Sequence, residues 1–208
     1  MKSQRGHPIV LVDRDGTLIR DVPYLSRLED IALLPGVAGA VRDLNRRGIP
    51  VALVTNQSGV ARGYFPESFI LESHARLMEL LAAEEAVLQG LYYCPHLSLK
   101  DPHPLSDTAL AGYRKACSCR KPGPGLVLRA LDDLRGDPDT SVVIGDADRD
   151  LEAGLAAGIG LGYRIVTNGE RSSFVPPAFH VTSFAERVRR FQSGSTGPGI
   201  AGRAEGMG

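Results

Sequence analysis

Short apolar runs alternate along this chain with longer stretches in which apolar positions recur at helical spacing. The runs cover residues 9–12, 51–54, 91–93, 142–144 and, less sharply, 162–166. Each is too short for a helix and carries few polar positions, which is how a strand buried on both faces of a parallel sheet reads. Between them, residues 37–47 form a helical pattern closed by Gly48. Residues 67–88 read as a longer amphipathic helix with Leu71, Leu77, Met78 and Leu81 on its apolar side. Shorter helices are expected over 126–134 and 151–157, and a last one over 184–191. This alternation predicts an α/β fold, a parallel sheet flanked by helices.

Two segments break the alternation. Residues 95–117 are rich in Pro, Asp, Ser and His, have no period, and need some other source of order. Residues 193–208, SGSTGPGIAGRAEGMG, are glycine-rich with little to bury and are expected to be disordered. A chain of 208 residues suits one core, so residues 1–192 are expected to form a single domain. Its 24 Lys and Arg balance its 24 Asp and Glu, giving no field that would hold nucleic acid or an anionic membrane. The first apolar run stops at Asp13, short of the roughly 20 residues of a membrane span. A soluble, cytoplasmic monomer is expected.

In an open parallel sheet, ligands bind beyond the carboxyl ends of the strands, so the polar residues following each run carry the chemistry. Asp13 and Asp15 follow the first run, with Gly16 allowing a sharp turn. Two carboxylates this close repel each other unless a hard cation such as Mg2+ sits between them; alternatively, the pair merely makes a turn. The second run leads into Thr55-Asn56-Gln57-Ser58-Gly59, suited either to holding phosphate oxygens or to a helix cap. The fourth leads into Gly145-Asp146-Ala147-Asp148-Arg149-Asp150, where Asp146 is a third carboxylate for the crevice. There Asp148 and Asp150 either join it or serve the dipole of the following helix. Lys121 lies on a loop in Arg120-Lys121-Pro122.

The order DxDGT, strand-terminal Thr, Lys, then GDxxxD, spread over residues 9–158, resembles the four-part signature of the haloacid dehalogenase superfamily. The resemblance implies that Asp13 is a nucleophile that becomes transiently phosphorylated, and that Asp15 is the general acid and then the base. It implies Mg2+ at the Asp13 carboxylate, the Asp15 backbone carbonyl and Asp146, with Thr55, Asn56 and Lys121 around the phosphate. The spacing leaves no room for an inserted cap domain.

The chain has three cysteines, all within Cys94-Pro95-His96 and Cys117-Ser118-Cys119. Three thiolates and an imidazole make a closed tetrahedral Zn2+ site with no position left for a catalytic water. Such a structural site supplies order to the 94–119 loop. With TNQSGVARGYF, YYCPH and CSCRKPGPG, this arrangement resembles the D-glycero-D-manno-heptose 1,7-bisphosphate 7-phosphatases. Histidinol-phosphate phosphatases share the framework and are the alternative; a non-catalytic, zinc-stabilised binding protein is another. By this resemblance Arg120 contacts the second phosphate of a sugar bisphosphate, and Arg62 either lines the same pocket or lies on the surface. The chain departs from the pattern in a longer loop carrying Asp101, His103 and Asp107, with His103 a weaker candidate zinc ligand. It also has Ala147 where a basic residue is usual, with Arg149 two positions later.

Overall fold

The computed structural model describes residues 6–100, 110–166 and 180–192. Six strands form one sheet: β1 (Val10–Val12), β2 (Val51–Asn56), β3 (Gly90–Cys94), β4 (Val142–Gly145), β5 (Gly162–Ile165) and β6 (His180–Val181). Their order is β3-β2-β1-β4-β5-β6, and every neighbouring pair is parallel. Five helices complete the fold: α1 (Val37–Arg46), α2 (Glu67–Ala82), α3 (Gly125–Asp133), α4 (Asp148–Ala156) and α5 (Phe184–Gln192). The sheet flanked by helices is the expected α/β architecture, and among the described residues no helix is long and apolar enough to cross a membrane.

The unbroken apolar runs are explained by burial on both faces. Because successive side chains alternate, Val10 and Val12 join Val51, Leu53, Val142 and Ile144 in one core with Val41, Leu77 and Phe184. Ile9 and Leu11 turn the other way, joining Ala52, Val54 and Val143 against Leu126, Ala130 and Leu131 of α3. Val12 sits opposite Leu53 and Ile144 in register, so the residues after β1, β2 and β4 emerge together at one end of the sheet.

The structure corrects two sequence expectations and adds a strand. Helix α2 ends at Ala82, not near residue 88. Glu85 takes a positive φ of 58°, and Ala86 and Leu88 continue the apolar pattern only because the chain tucks them into the core from a loop. On α2 itself the buried face is Ile70, His74, Leu77 and Leu81, while Leu71 is 57% exposed. Strand β6 is two residues long and gave no pattern to read. The expectations for the 193–208 tail and for Asp101, His103 and Asp107 fall outside the described residues.

Leu53 is fully buried in β2. Leu53→Ala is expected to cost about 2–5 kcal/mol in denaturant unfolding, whereas Leu128→Ala, on a half-exposed side chain, should stay within about 1 kcal/mol. A small loss at Leu53 would contradict the two-faced burial of the sheet.

Candidate active site

Asp13 leaves the end of β1 with its N–H donated to the Ile144 carbonyl at 3.1 Å, which keeps the chain in the sheet up to its side chain. Gly16 then turns at φ 69°; a Cβ there would meet Asp146 Oδ2 at 2.6 Å, so glycine lets the loop close over Asp146. One carboxylate oxygen from each of Asp13, Asp146 and Asp150 lies within 4.8 Å of the others. Asp13 and Asp150 are buried.

Lys121 is the internal countercharge. Its side chain is 2% exposed, and its Nζ is 3.0 Å from Asp13 Oδ1 and 2.6 Å from Asp150 Oδ1 and donates a hydrogen bond to the Val54 carbonyl at 2.6 Å. Burial pulls the ammonium pKa down, but Asp13 and Asp150 outweigh that and hold it above its usual value. The backbone of Lys121 is clamped by Asn56, whose Oδ1 accepts from Lys121 N and whose Nδ2 donates to Lys121 O, both at 3.0 Å.

One cation does not balance three carboxylates. Burial first, then Asp13 and Asp150, push the Asp146 carboxyl up to about 7. Its Oδ1 is buried with no hydrogen-bond partner among the described residues. An all-oxygen cluster with an unpartnered buried oxygen fits a hard divalent cation such as Mg2+, which takes oxygen ligands and retains water.

Asp15 stands apart from this trio. Arg14, buried at 3% exposure, reaches it from Nε and Nη2 at 3.2 Å, and also donates to Gln57 Oε1 at 2.8 Å and Ser73 Oγ at 3.0 Å. Gln57 Nε2 donates in turn to Asp15 Oδ2 at 3.0 Å and Thr55 Oγ1 at 2.9 Å. Burial raises the Asp15 carboxyl above the usual carboxylate range and Asp13 adds to it, with Arg14 and Gln57 offsetting only part. A carboxyl so placed can hold and release a proton closer to neutrality than a solvated one.

The second cluster sits beside the end of β3. Cys94, His96, Cys117 and Cys119 bring one donor atom each within 4.8 Å of the others. Cys94 Sγ is 3.7 Å from Cys117 Sγ and 3.1 Å from Cys119 Sγ, and His96 Nδ1 is 3.5 Å from Cys94 Sγ and 3.3 Å from Cys119 Sγ. Thiolates about 2.3 Å from a tetrahedral Zn2+ lie somewhat under 4 Å apart, so the donor set fits zinc. Arg120, next to Cys119, donates from Nη1 to the His96 carbonyl at 3.0 Å. The flanking loop is also pinned by Glu67 at the start of α2, which accepts from Tyr93 Oη at 3.0 Å and Tyr113 Oη at 2.6 Å.

The structure brings Asp13, Lys121 and Asp146 together, and Thr55 is buried with its hydroxyl accepting from Gln57. Asn56 has its amide committed to the Lys121 backbone. Arg62 is 7% exposed, so the surface reading of it does not hold. Asp148 pairs with Arg164 at 3.2 Å and is not one of the clustered carboxylates. Of the two roles open to Asp150 in the sequence, the structure gives it a place in the crevice, where it pairs with Lys121; the pairing itself, and Arg14 and Gln57 as partners of Asp15, were not read from sequence, since a buried arginine gives no sign of its partners there.

A cavity of 240 Å3 opens beside Asp15, lined among others by Arg14, Tyr24, Asn56, Gln57, Phe65 and Arg149.

The haloacid dehalogenase-like hydrolase family model matches residues 24–158. A Haemophilus influenzae protein, D-glycero-beta-D-manno-heptose-1,7-bisphosphate 7-phosphatase, is 39% identical over 71% of this chain and 76% of its own length. A Yersinia pestis protein of the same name is 40% identical over 74% and 77%. Among solved structures, one from Mesorhizobium loti described as a HAD-like phosphatase superposes with a TM-score of 0.73 at 31% identity, covering 88% of this chain and 84% of that one. The D,D-heptose 1,7-bisphosphate phosphatase of B. bronchiseptica, solved with magnesium and phosphate, shares the fold at 24% identity, with a TM-score of 0.71 over 90% of this chain and 99% of that one.

Two outcomes are expected from the clusters. Metal analysis of the purified protein should find zinc, and stripping it with a chelator should lower the melting temperature by several degrees or more; an unchanged melting temperature after confirmed zinc loss would exclude a structural role. Separately, the folded Asp146 keeps its proton up to about 7 against 3.8 for the free group. Without magnesium, stability from this group is therefore present at low pH and declines as pH rises from about 4 to about 7. The melting temperature of magnesium-free protein should fall between about pH 4 and about pH 7 and level off above, with added Mg2+ restoring more at the higher pH. A flat profile would mean that Asp146 carries no such proton.

Proposed function

Since the chain belongs to the haloacid dehalogenase-like hydrolase family, we propose that it is a phosphatase that removes the C7 phosphate of a D-glycero-D-manno-heptose 1,7-bisphosphate. One observation carries the substrate: relatives named for that activity are 39% and 40% identical over more than two thirds of both chains. In those sugars, one phosphate leaves and the other remains as a handle.

Asp13, at the end of β1, attacks phosphorus in line; its Oδ1 is fixed by Lys121, which also places positive charge beside the incoming phosphate. Asp15 supplies the proton to the departing sugar oxygen and afterwards takes one from the water that hydrolyses the aspartyl phosphate, a role its raised pKa suits. Arg14 and Gln57 keep the Asp15 carboxylate oriented between these steps. Thr55, anchored by Gln57, presents its hydroxyl to a phosphate oxygen, and Arg62 and Arg120 add positive charge around the crevice. Asn56 acts through Lys121 by holding its peptide in place. Asp13, the Asp15 carbonyl and Asp146 would hold Mg2+, which when bound offsets the like charges of carboxylate and phosphate. Cys94, His96, Cys117 and Cys119 would hold zinc, which when bound would order the loop that carries Arg120 without entering the chemistry. Phosphate monoesters hydrolyse so slowly unaided that these groups together must supply on the order of 20 kcal/mol.

The test is kcat/KM, with magnesium, for the α and β heptose 1,7-bisphosphates, histidinol phosphate and a panel of sugar monophosphates. A preference of about a hundredfold for a bisphosphate, worth roughly 2.7 kcal/mol of transition-state binding, is expected. A preference for histidinol phosphate or a flat profile would refute the heptose substrate. In the same assay Asp13→Asn should lower kcat by at least about 10^4; retained turnover would remove Asp13 as nucleophile.

A further inference from the structure

We propose that Ser73 and Gln57 are positioning residues that, Ser73 through Arg14 and Gln57 directly, fix Oδ1 of Asp15 as the oxygen that hands the proton to the leaving group. This inference rests on the phosphatase reading above and names the residues that direct its acid–base step.

The relay starts on the backbone of α2. Ser73, 1% exposed, donates its hydroxyl to the Ile70 carbonyl at 2.7 Å, which turns a lone pair of its oxygen toward Arg14, whose Nη1 donates to it at 3.0 Å. A guanidinium has donors and no acceptor, so every polar atom that Arg14 meets must accept from it. That requirement decides which way the Gln57 amide points. Its Oε1 takes the hydrogen of Arg14 Nη2 at 2.8 Å, and Nε2 is left to face Asp15 and Thr55, with one hydrogen for Asp15 Oδ2 at 3.0 Å and one for Thr55 Oγ1 at 2.9 Å. Gln57 is buried and its backbone N–H is donated to the Cys94 carbonyl at 2.7 Å, so the residue is held at both ends. His74, the next residue of α2, adds no second positive charge, since burial and then Arg14 push its pKa down to about 4.

The two oxygens of Asp15 are made unequal by this arrangement. Oδ2 faces Gln57 Nε2 and also lies 3.2 Å from Arg14 Nη2. Oδ1 shares with Oδ2 the single hydrogen of Arg14 Nε, 3.2 Å from each. A carboxylate oxygen has about two acceptor sites. Donors fill both at Oδ2, and a proton placed there would point at another N–H, whereas Oδ1 keeps a site open. The Asp15 side chain is 28% exposed and lines the 240 Å3 cavity, where a substrate can reach it. As an oxygen of Asp13 bonds to phosphorus, the bond to the leaving oxygen breaks, its electron pair stays on that oxygen, and the proton of Oδ1 joins it, leaving Asp15 as the carboxylate. The same amide serves the phosphate, because a Thr55 hydroxyl that accepts from Gln57 keeps its own hydrogen for a phosphate oxygen.

The test is kcat/KM with magnesium on heptose 1,7-bisphosphate, phenyl phosphate and p-nitrophenyl phosphate for wild type, Gln57→Glu, Gln57→Met, Ser73→Ala and Ser73→Thr. Nitrophenolate departs unaided, whereas a sugar alkoxide needs the proton. Gln57→Glu keeps the shape and the acceptor for Arg14 and loses both donors; Gln57→Met loses all three contacts without adding charge. General acid catalysis contributes about 10^2 to 10^4 in rate. Misdirecting the proton should therefore lower kcat/KM for the sugar ester by about tenfold or more beyond any loss on p-nitrophenyl phosphate, with phenyl phosphate between them. Both Gln57 variants and Ser73→Ala should show this, and Ser73→Thr should recover most of it. Melting temperatures identify the folded variants, and if Ser73→Ala does not fold, the Gln57 pair decides. Equal losses on all three esters, or no loss, in the folded variants would overturn the assignment of Ser73 and Gln57 alone. A wild type that hydrolyses none of the three would overturn the phosphatase reading with it.

Discussion

The site depends on the repulsion among Asp13, Asp146 and Asp150, three carboxylates held within 4.8 Å at the buried end of a parallel sheet. At that distance and in partly excluded solvent, like charges destabilise one another unless they bind protons or cations. Lys121 neutralises one side of the cluster through Asp13 and Asp150. The remaining imbalance falls on Asp146, whose pKa is pushed to about 7. The arrangement works against the stability of the metal-free protein, and the same imbalance suits the cluster to a divalent cation.

Everything around the trio keeps Lys121 and Asp15 where this balance needs them. The Lys121 ammonium is set by Val54, Asp13 and Asp150, its peptide by Asn56, and its approach by Cys119, two residues earlier in the Cys/His cluster. Asp15 is set by Arg14 and Gln57, and Gln57 also holds Thr55. The zinc-type cluster and the catalytic end of the sheet are thus joined through three consecutive residues, Cys119, Arg120 and Lys121. A loop that buries little of its own can hold the Lys121 amine in place through hydrogen bonds and a clustered Cys/His set suited to a metal.

Local chemistry made much of this readable from sequence. The unbroken runs at 9–12, 51–54 and 142–144 announce a doubly buried parallel sheet, because only burial on both faces removes the polar alternation. Asp13, Thr55 and Asp146 announce the site because they follow those runs, and parallel strands in register bring such ends together. The two tight Cys/His pairs announce a closed metal site because four ligands of those types have few other uses. What required the tertiary structure were pairings between side chains far apart in the chain: Asp150 with Lys121, Arg14 with Gln57 and Ser73, Asn56 with the Lys121 peptide. The end of α2 was also hidden, since Ala86 and Leu88 are buried from a loop and mimic the continuation of a helix. Residue type and spacing thus determined the sheet, the carboxylates at its strand ends and the Cys/His cluster, because those signals act over a few residues. Which charges meet, and which arginine faces the cavity, was decided only by how helices and loops pack over the strand ends, since that depends on contacts between residues far apart in sequence.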